Sequence, residues 1–296
     1  MRIIKRTKRR VRYLFSSLLL ILTANITAPG IYAADQPAFE ALPDWSGTWS
    51  RRGGTVFDSG TWTVNGVPMH PSQPGAGVSA LGARAHPPYN AEWEAIYQEH
   101  LDLRDAGLFP DPLTRCISHG FPRIFNALAP VEFVVRPEQT WILAEHTRAT
   151  MRIYTDGTEH PPPEARWHNF YGHSVGHWEG EPSAGNQTLV FSTVSLKSWR
   201  DGDSVLDRSG LVLSDQAHAS TRIRRTEENG EQLLLVEMTL EDPVSLTAPW
   251  VVEKRFYKDA PGTIIFDYEC NEYNRAIVDE EGRSLILDEE GRILEY

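Results

Sequence analysis

The 296-residue chain has only two cysteines, and it is short of positive charge, with 29 Lys and Arg against 40 Asp and Glu. Two cysteines exclude a disulfide-dense small scaffold, and neither has a partner at zinc-site spacing, so no metal centre is expected from them. Seven of the basic residues are Arg2, Lys5, Arg6, Lys8, Arg9, Arg10 and Arg12, and no basic cluster follows them. A nucleic-acid surface needs such a cluster to displace counterions, so nucleic acid is not an expected partner. A phosphate-cradling Gly-rich loop and a dinucleotide fingerprint are both missing, and no cofactor is implied. There is no nucleophile elbow either. Gly172-His173-Ser174-Val175-Gly176 imitates one by eye but lacks the strand-to-helix turn that exposes the serine.

The head of the chain carries an address. Its basic cluster precedes an apolar run from Leu14 to Ala24, and the small residues Ala28, Pro29, Gly30, Ala33 and Ala34 follow. That order is a secretory signal peptide over residues 1–33, and its apolar run is shorter than the roughly 20 residues of a spanning helix. Without the leader the chain keeps 22 basic residues against 40 acidic, a formal charge of −18. The expected product is periplasmic or secreted, with no stable membrane insertion. Cys116 and Cys270 then meet an oxidising compartment, where an even pair reads as a disulfide before a free thiol.

Residues 34–130 read as an irregular Gly/Pro-rich arm, with a candidate first strand near Trp45 to Trp49, and one amphipathic helix packed on the core. Asn90 is a helix cap, Glu92 and Glu94 suit the positive end of the dipole, and Gly107 ends the run. Trp93, Ile96, Tyr97, His100 and Leu101 share its inner face. From Val131 the pattern turns to strands. Thr140 to Tyr154 reads as one or two strands in a single register, with Trp141, Leu143, Met151 and Ile153 on one face and His146, Arg148, Arg152 and Tyr154 on the other. Further strands are expected at Gly172–Trp178, Leu189–Val194, His218–Arg225, Leu233–Glu241, Trp250–Tyr257 and Thr263–Cys270. Short turns and the absence of long helices favour an antiparallel meander over residues 131–275, closed to avoid open edges. Residues 276–296 form an acidic extension in which Asp279-Glu280-Glu281-Gly282-Arg283 recurs as Asp288-Glu289-Glu290-Gly291-Arg292, suggesting a hairpin.

Candidate chemistry lies in two stretches. Around Gly172–Gly180, His173 and His177 share a strand face, where they suit acid–base work, or metal binding if His218, His146 or Asp207 supplies a third ligand. In the second stretch, Asp207-Arg208-Ser209-Gly210 precedes His218, so Arg208 can hold a ligand oxygen, His218 can move a proton and Asp207 can orient one of them. His218 shares its strand face with Ser220, Arg222 and Arg224.

Two resemblances add to this. Asp44-Trp45-Ser46-Gly47-Thr48-Trp49 resembles the Gly-x-Trp opening of lipocalin-like, calycin-type barrels, where the Trp packs across the closed end. A wider likeness, over roughly residues 88–275, rests on Asp111-Pro112-Leu113-Thr114-Arg115-Cys116, Gly120-Phe121-Pro122-Arg123 and Arg152-Ile153-Tyr154-Thr155-Asp156-Gly157. It continues through Gly172-His173-Ser174-Val175-Gly176, Trp178-Glu179-Gly180, Asp207-Arg208-Ser209-Gly210, His218 and Glu269-Cys270-Asn271-Glu272. These resemble a large, mostly uncharacterised group of exported bacterial β-rich proteins, which implies an exported β-rich fold and no assigned reaction. That group more often has Arg at the place of His177, which favours His173 as the residue to test.

The expectation is a mainly β protein, an antiparallel meander closed as a calycin or lipocalin-like barrel of about eight to ten strands. Its leading function is cofactor-independent acid–base chemistry of lyase, hydratase or isomerase type on a small, partly apolar oxygenated molecule. His173 and His218 would move protons, Arg208 would hold the oxyanion, and Asp207 and Tyr154 would orient. The alternatives are a non-catalytic barrel that binds a hydrophobic ligand and a metal-dependent hydrolase or oxygenase.

Overall fold

Alternating buried and exposed side chains build most of the strands in the computed structural model. It describes residues 39–52, 56–68, 82–109, 111–127, 129–146, 149–181, 187–198, 204–266, 268, 276–279, 284–287 and 292–293. The expected leader and Cys270 lie outside these residues. In chain order the elements are β1 (Thr48–Arg51), the short strands β2 (Thr63–Val64), β3 (Val67–Pro68) and β4 (Ala83–Arg84), helix α1 (Ala91–Asp105), β5 (Val131–Val135), β6 (Gln139–Ala144) and β7 (Ala149–Tyr154). They continue with β8 (His173–Glu179), β9 (Thr188–Val194), β10 (His218–Glu228), β11 (Glu231–Glu241), β12 (Trp250–Lys258), β13 (Ala276–Val278) and β14 (Ser284–Ile286).

Nine strands close a barrel in the order β1-β12-β11-β10-β9-β8-β7-β6-β5, with β1 returning to β5. The barrel therefore takes its first strand from the segment assigned to the arm. The expectation of a purely antiparallel meander fails at one seam, where β7 and β8 run parallel through Ile153↔Ser174 and Tyr154↔Val175. The cause is the connection over residues 155–172, long enough to cross over and re-enter in the same direction, which a hairpin turn cannot do. β6 and β7 form an antiparallel hairpin, not one continuous register. Ile142 pairs with Met151 inside the barrel, while Trp141 pairs with Arg152 on the outside. The expected strand at Thr263–Cys270 does not form over Thr263–Phe266, because β1 already occupies the free edge of β12. That segment instead lies across one end of the barrel, where the Phe266 amide donates to Glu145 Oε2 at 2.9 Å.

Helix α1 begins at Asn90, whose side chain accepts from the Trp93 amide, and it buries Trp93, Tyr97, His100 and Leu101. His100 donates through Nδ1 to the Gly210 carbonyl at 2.7 Å, a structural role. No helix among the described residues is long and apolar enough to cross a membrane. β13 and β14 pair as an antiparallel hairpin in the acidic extension.

The barrel axis is filled by aromatic rings meeting edge to face: Trp45 on Phe133 at 5.7 Å, Phe133 on Phe256 at 6.5 Å, Phe256 on Phe125 at 6.3 Å and Phe125 on Phe121 at 6.1 Å. At one end Trp49 is fully buried, donates its indole N–H to the Trp45 carbonyl at 2.8 Å, and lies under the Lys258 ammonium. At the other end Phe121, Ile124 and Phe125 plug the lumen from the segment before β5. Gly176 makes room inside the wall. A Cβ there would meet the Val190 carbonyl oxygen at 2.3 Å and Phe191 Cβ at 2.6 Å. Gly176→Ala should lower stability by about 1–3 kcal/mol in urea unfolding, since a rigid wall cannot yield that space without moving backbone.

Candidate functional site

The plugged end of the barrel collects the polar residues of three separate chain segments. Asp111 caps the 3-10 turn Pro112–Arg115 by accepting from the Leu113 amide at 3.0 Å. Its two oxygens also take Arg123 Nη1 at 2.9 Å and Nη2 at 2.8 Å, closing the loop between them. The pair is buried. Burial alone would raise the Asp111 carboxyl, but the Arg123 guanidinium outweighs it and holds the group below its ordinary value.

Inside this closed loop sits His119, 6 % exposed, with its ring edge-on to His146 at 5.0 Å. Burial, then the nearby Arg123 charge, pushes His119 down to about 3, so its imidazole is neutral at ordinary pH. The same two causes lower His146 from its ordinary value, with Arg208 adding a third. His146 occupies the turn between β6 and β7 and stacks on Tyr268 at 5.4 Å. Its Nδ1 is buried and has no hydrogen-bond partner among the described residues.

The third segment is Asp207-Arg208-Ser209-Gly210. Asp207 is 1 % exposed, and its carboxylate accepts from the Ser209 amide at 2.8 Å, the Ser209 hydroxyl at 2.6 Å and the Phe57 amide at 2.7 Å. These bonds lock the loop to the chain leaving β1. Gly210, at φ +84°, lies against α1, where a Cβ would meet His100 Cβ at 2.5 Å. Ser209 also bonds Tyr97 of α1 at 3.0 Å, so helix, loop and barrel mouth share one network. Arg208 itself is exposed.

Together Leu113, His119, Arg123, Asn126, His146 and Arg208, with Asp207, line a cavity of about 40 Å³. That volume holds roughly three waters or a few heavy atoms of a small ligand. Beneath it Asn126 Oδ1 accepts from Lys254 Nζ at 3.0 Å. Lys254 points into the barrel from β12 and also donates to the Phe57 carbonyl. Burial, with Arg51 close by, holds its ammonium well below the usual lysine range.

Of the expected catalytic residues, Asp207 and Arg208 reach this cavity, as does His146, expected only as a metal ligand. His173, His218 and Tyr154 do not. In β10, Ala219, Thr221 and Ile223 fill the lumen, so alternation turns His218 outward, where it lies 3.3 Å from Glu241 Oε2. In β8, Ser174 and Trp178 face in, which puts His173 and His177 outside, His177 exposed beside Glu179. Ser174, the serine of the elbow-like string, is buried and bonded to Thr193 Oγ1 at 2.8 Å. Tyr154 stacks on His173 at 5.6 Å on the outer face. Among the described residues no three His, Cys, Asp or Glu side chains are grouped to hold a metal ion, and there is no free cysteine.

Sequence reasoning missed His119, Arg123, Asn126 and Lys254, and it named His146 only as a third metal ligand. The available signal was the short run His119-Gly120-Phe121-Pro122-Arg123, in which Gly120 at φ +68° carries the chain so close to Phe170 that a Cβ would lie 2.5 Å from its carbonyl oxygen.

Two outcomes follow. Asp111→Ala strands Arg123 in the interior and should cost about 3–5 kcal/mol in urea unfolding. For His119 the folded pKa lies below the unfolded one, so between them the unfolded chain binds more protons. Its contribution is complete above pH 6.5 and is lost as pH falls toward 3, with a slope approaching 1.4 kcal/mol per pH unit. Unfolding free energies measured from pH 7 to pH 4 should fall less steeply for His119→Gln. No family model, curated protein or solved structure matches this chain, so the chemistry of the cavity is what its function must be read from.

Proposed function

We propose that the protein is an exported enzyme performing cofactor-independent acid–base chemistry on a small, partly apolar oxygenated molecule, in the manner of a lyase, hydratase or isomerase, in the cavity beside His119 and His146. The observation that carries this reading is the meeting of the His119 and His146 rings, edge to face at 5.0 Å, on the wall of one cavity that Arg208 also lines.

In this reading Arg208 holds the substrate oxygen and takes up its developing negative charge. His119, neutral and buried, hydrogen-bonds the same oxygen. His146, less strongly shifted, accepts the proton from the neighbouring atom. Asp207 spends its acceptors on Ser209 and Phe57, so it positions Arg208 and does not touch substrate. His173, His218 and Tyr154 leave the machinery. The same reading keeps the barrel as calycin-type, with Trp49 across its closed end, and pairs Cys116 with Cys270 in an oxidising compartment.

Proton abstraction beside a carbonyl exchanges carbon-bound hydrogen with solvent, so the test is proton NMR in heavy water over a panel of small hydroxyketones and 2-oxo acids. Wild type should catalyse exchange in at least one of them, and His146→Ala should slow it by about a hundredfold or more while the fold persists by circular dichroism. No exchange by folded wild type across the panel sinks the reading.

A ligand-binding role is favoured by a separate cleft of about 520 Å³ at the Trp49 end, lined by Phe39, Leu42, Pro43, Trp45, Phe133 and Val135 among others. That size suits a small-molecule pocket. Quenching of tryptophan fluorescence by a medium-chain fatty acid, lost in Trp45→Phe, would mark this cleft as a binding site.

A further inference from the structure

Away from the cavity, the outer face of β7, β8 and β9 carries a second group of reactive side chains that the proposed acid–base chemistry does not use. His160 lies in the crossover between β7 and β8, half-buried against the barrel wall. Its Nε2 is 2.8 Å from Ser192 Oγ on β9, and its Nδ1 is 3.0 Å from Nδ1 of His173. Tyr154 stacks on the far side of His173. The two imidazoles meet edge to face at 5.2 Å.

The group is held in place. His160 precedes Pro161-Pro162-Pro163, and a residue before proline is confined to extended backbone. Arg166 donates through Nε to the Pro161 carbonyl at 3.1 Å, bracing the same turn. His173 opens β8 directly after Gly172, whose φ of +64° and close approach to the Val194 carbonyl leave no room for a side chain. Asn169 ties the turn before it by accepting from the Tyr171 amide at 2.9 Å.

Two nitrogens in contact need one proton between them, so one Nδ1 donates and the other accepts. With His173 protonated on Nε2 and accepting at Nδ1, His160 carries its proton on Nδ1 and its Nε2 lone pair accepts from the Ser192 hydroxyl; the opposite pair of tautomers reverses both bonds. Burial lowers both histidines from their ordinary values, which keeps them neutral and able to take a proton near pH 7.

We propose that Ser192 is an activated nucleophile, with His160 as its general base and His173 as the residue that positions His160, acting on small esters at the outer face of the barrel. The hydroxyl, the base and the orienting group stand in the order that nucleophilic catalysis requires. Ser192 Oγ attacks the ester carbonyl carbon, its proton passes to His160 Nε2, the carbon–oxygen bond to the alcohol breaks, and the alcohol leaves with that proton. Water then attacks the acyl-serine, gives a proton to His160, and the acid departs as the proton returns to Ser192. Negative charge on the carbonyl oxygen has two neighbours. Ser220 lies directly opposite Ser192 across the β9–β10 pair on the exposed face, and Arg166 stands near enough to depress His160.

The test uses the full chain and a phosphorylating probe, diisopropyl fluorophosphate, with intact mass and peptide mapping as readout. One adduct per chain on Ser192 is expected, absent in Ser192→Ala and formed at least tenfold more slowly in His160→Gln. His173→Phe, which keeps the stacking on Tyr154, should label slowly, while His173→Asn, which restores an acceptor for His160 Nδ1, should recover the rate. Folded wild type that stays unlabelled, an adduct on another residue, or a His160→Gln that labels at the wild-type rate would each overturn the proposal.

Discussion

Edge-to-face packing of Trp45, Phe133, Phe256, Phe125 and Phe121 along the barrel axis decides where anything else in this molecule can sit. Rings of this size each bury a large apolar area and lock their neighbours' rotamers, so the lumen is core and not a vessel. Three of them come from outside the strands: Trp45 just before β1, and Phe121 and Phe125 on either side of Arg123, which pairs with Asp111. The ion pair and the plug therefore support each other. Arg123 is held where Phe125 needs the chain to enter, and the plug shields Arg123 from water, which strengthens its attraction to Asp111. His119 lies between the two and inherits its burial from both.

Charge in the interior is arranged on the same principle. Lys254 and Arg51 both enter the barrel, and the carboxylates of Asp207 and Asp58 lie near enough to be felt by Lys254. The ammonium is surrounded by carbonyl oxygens of the chain leaving β1 and by Asn126. A buried amine is tolerable only when its hydrogen-bonding capacity is filled, and these three acceptors fill that of Lys254. The consequence reaches α1 through Ser209 and Tyr97, so the mouth of the barrel, the helix and the loop that carries Arg208 behave as one polar assembly.

Much of the scaffold was legible in residue patterns because the physics there is local. Alternation marked β8 to β12 within a few residues, and Asn90 announced its helix. The position of chemistry was far less legible. Alternation tells which residues share a face, but not which face turns inward. That choice follows from bulk: Ala219, Thr221 and Ile223 suit the lumen, and His218 goes outward with Ser220 and Arg222. The parallel seam between β7 and β8 depends on the path of an irregular crossover, and no periodicity reports it. His119 and His146 lie far apart in the chain, in a turn and a loop without repeats, so only the closed fold brings their rings together.

Closure of this barrel joins ends that are remote in the chain. β1 finds its partner in β12, and the hydrogen bond from Ser50 to Asp259 spans 209 residues. Until β12 exists, β1 and β11 are both open edges, and the aromatic axis lacks Phe256. The loop-closure entropy of that contact comes due before its reward, a pattern that slows folding and leaves strand edges open to other chains. The molecule is thus one whose native state waits on β12: eight strands stand ready before the ninth makes a cylinder of them.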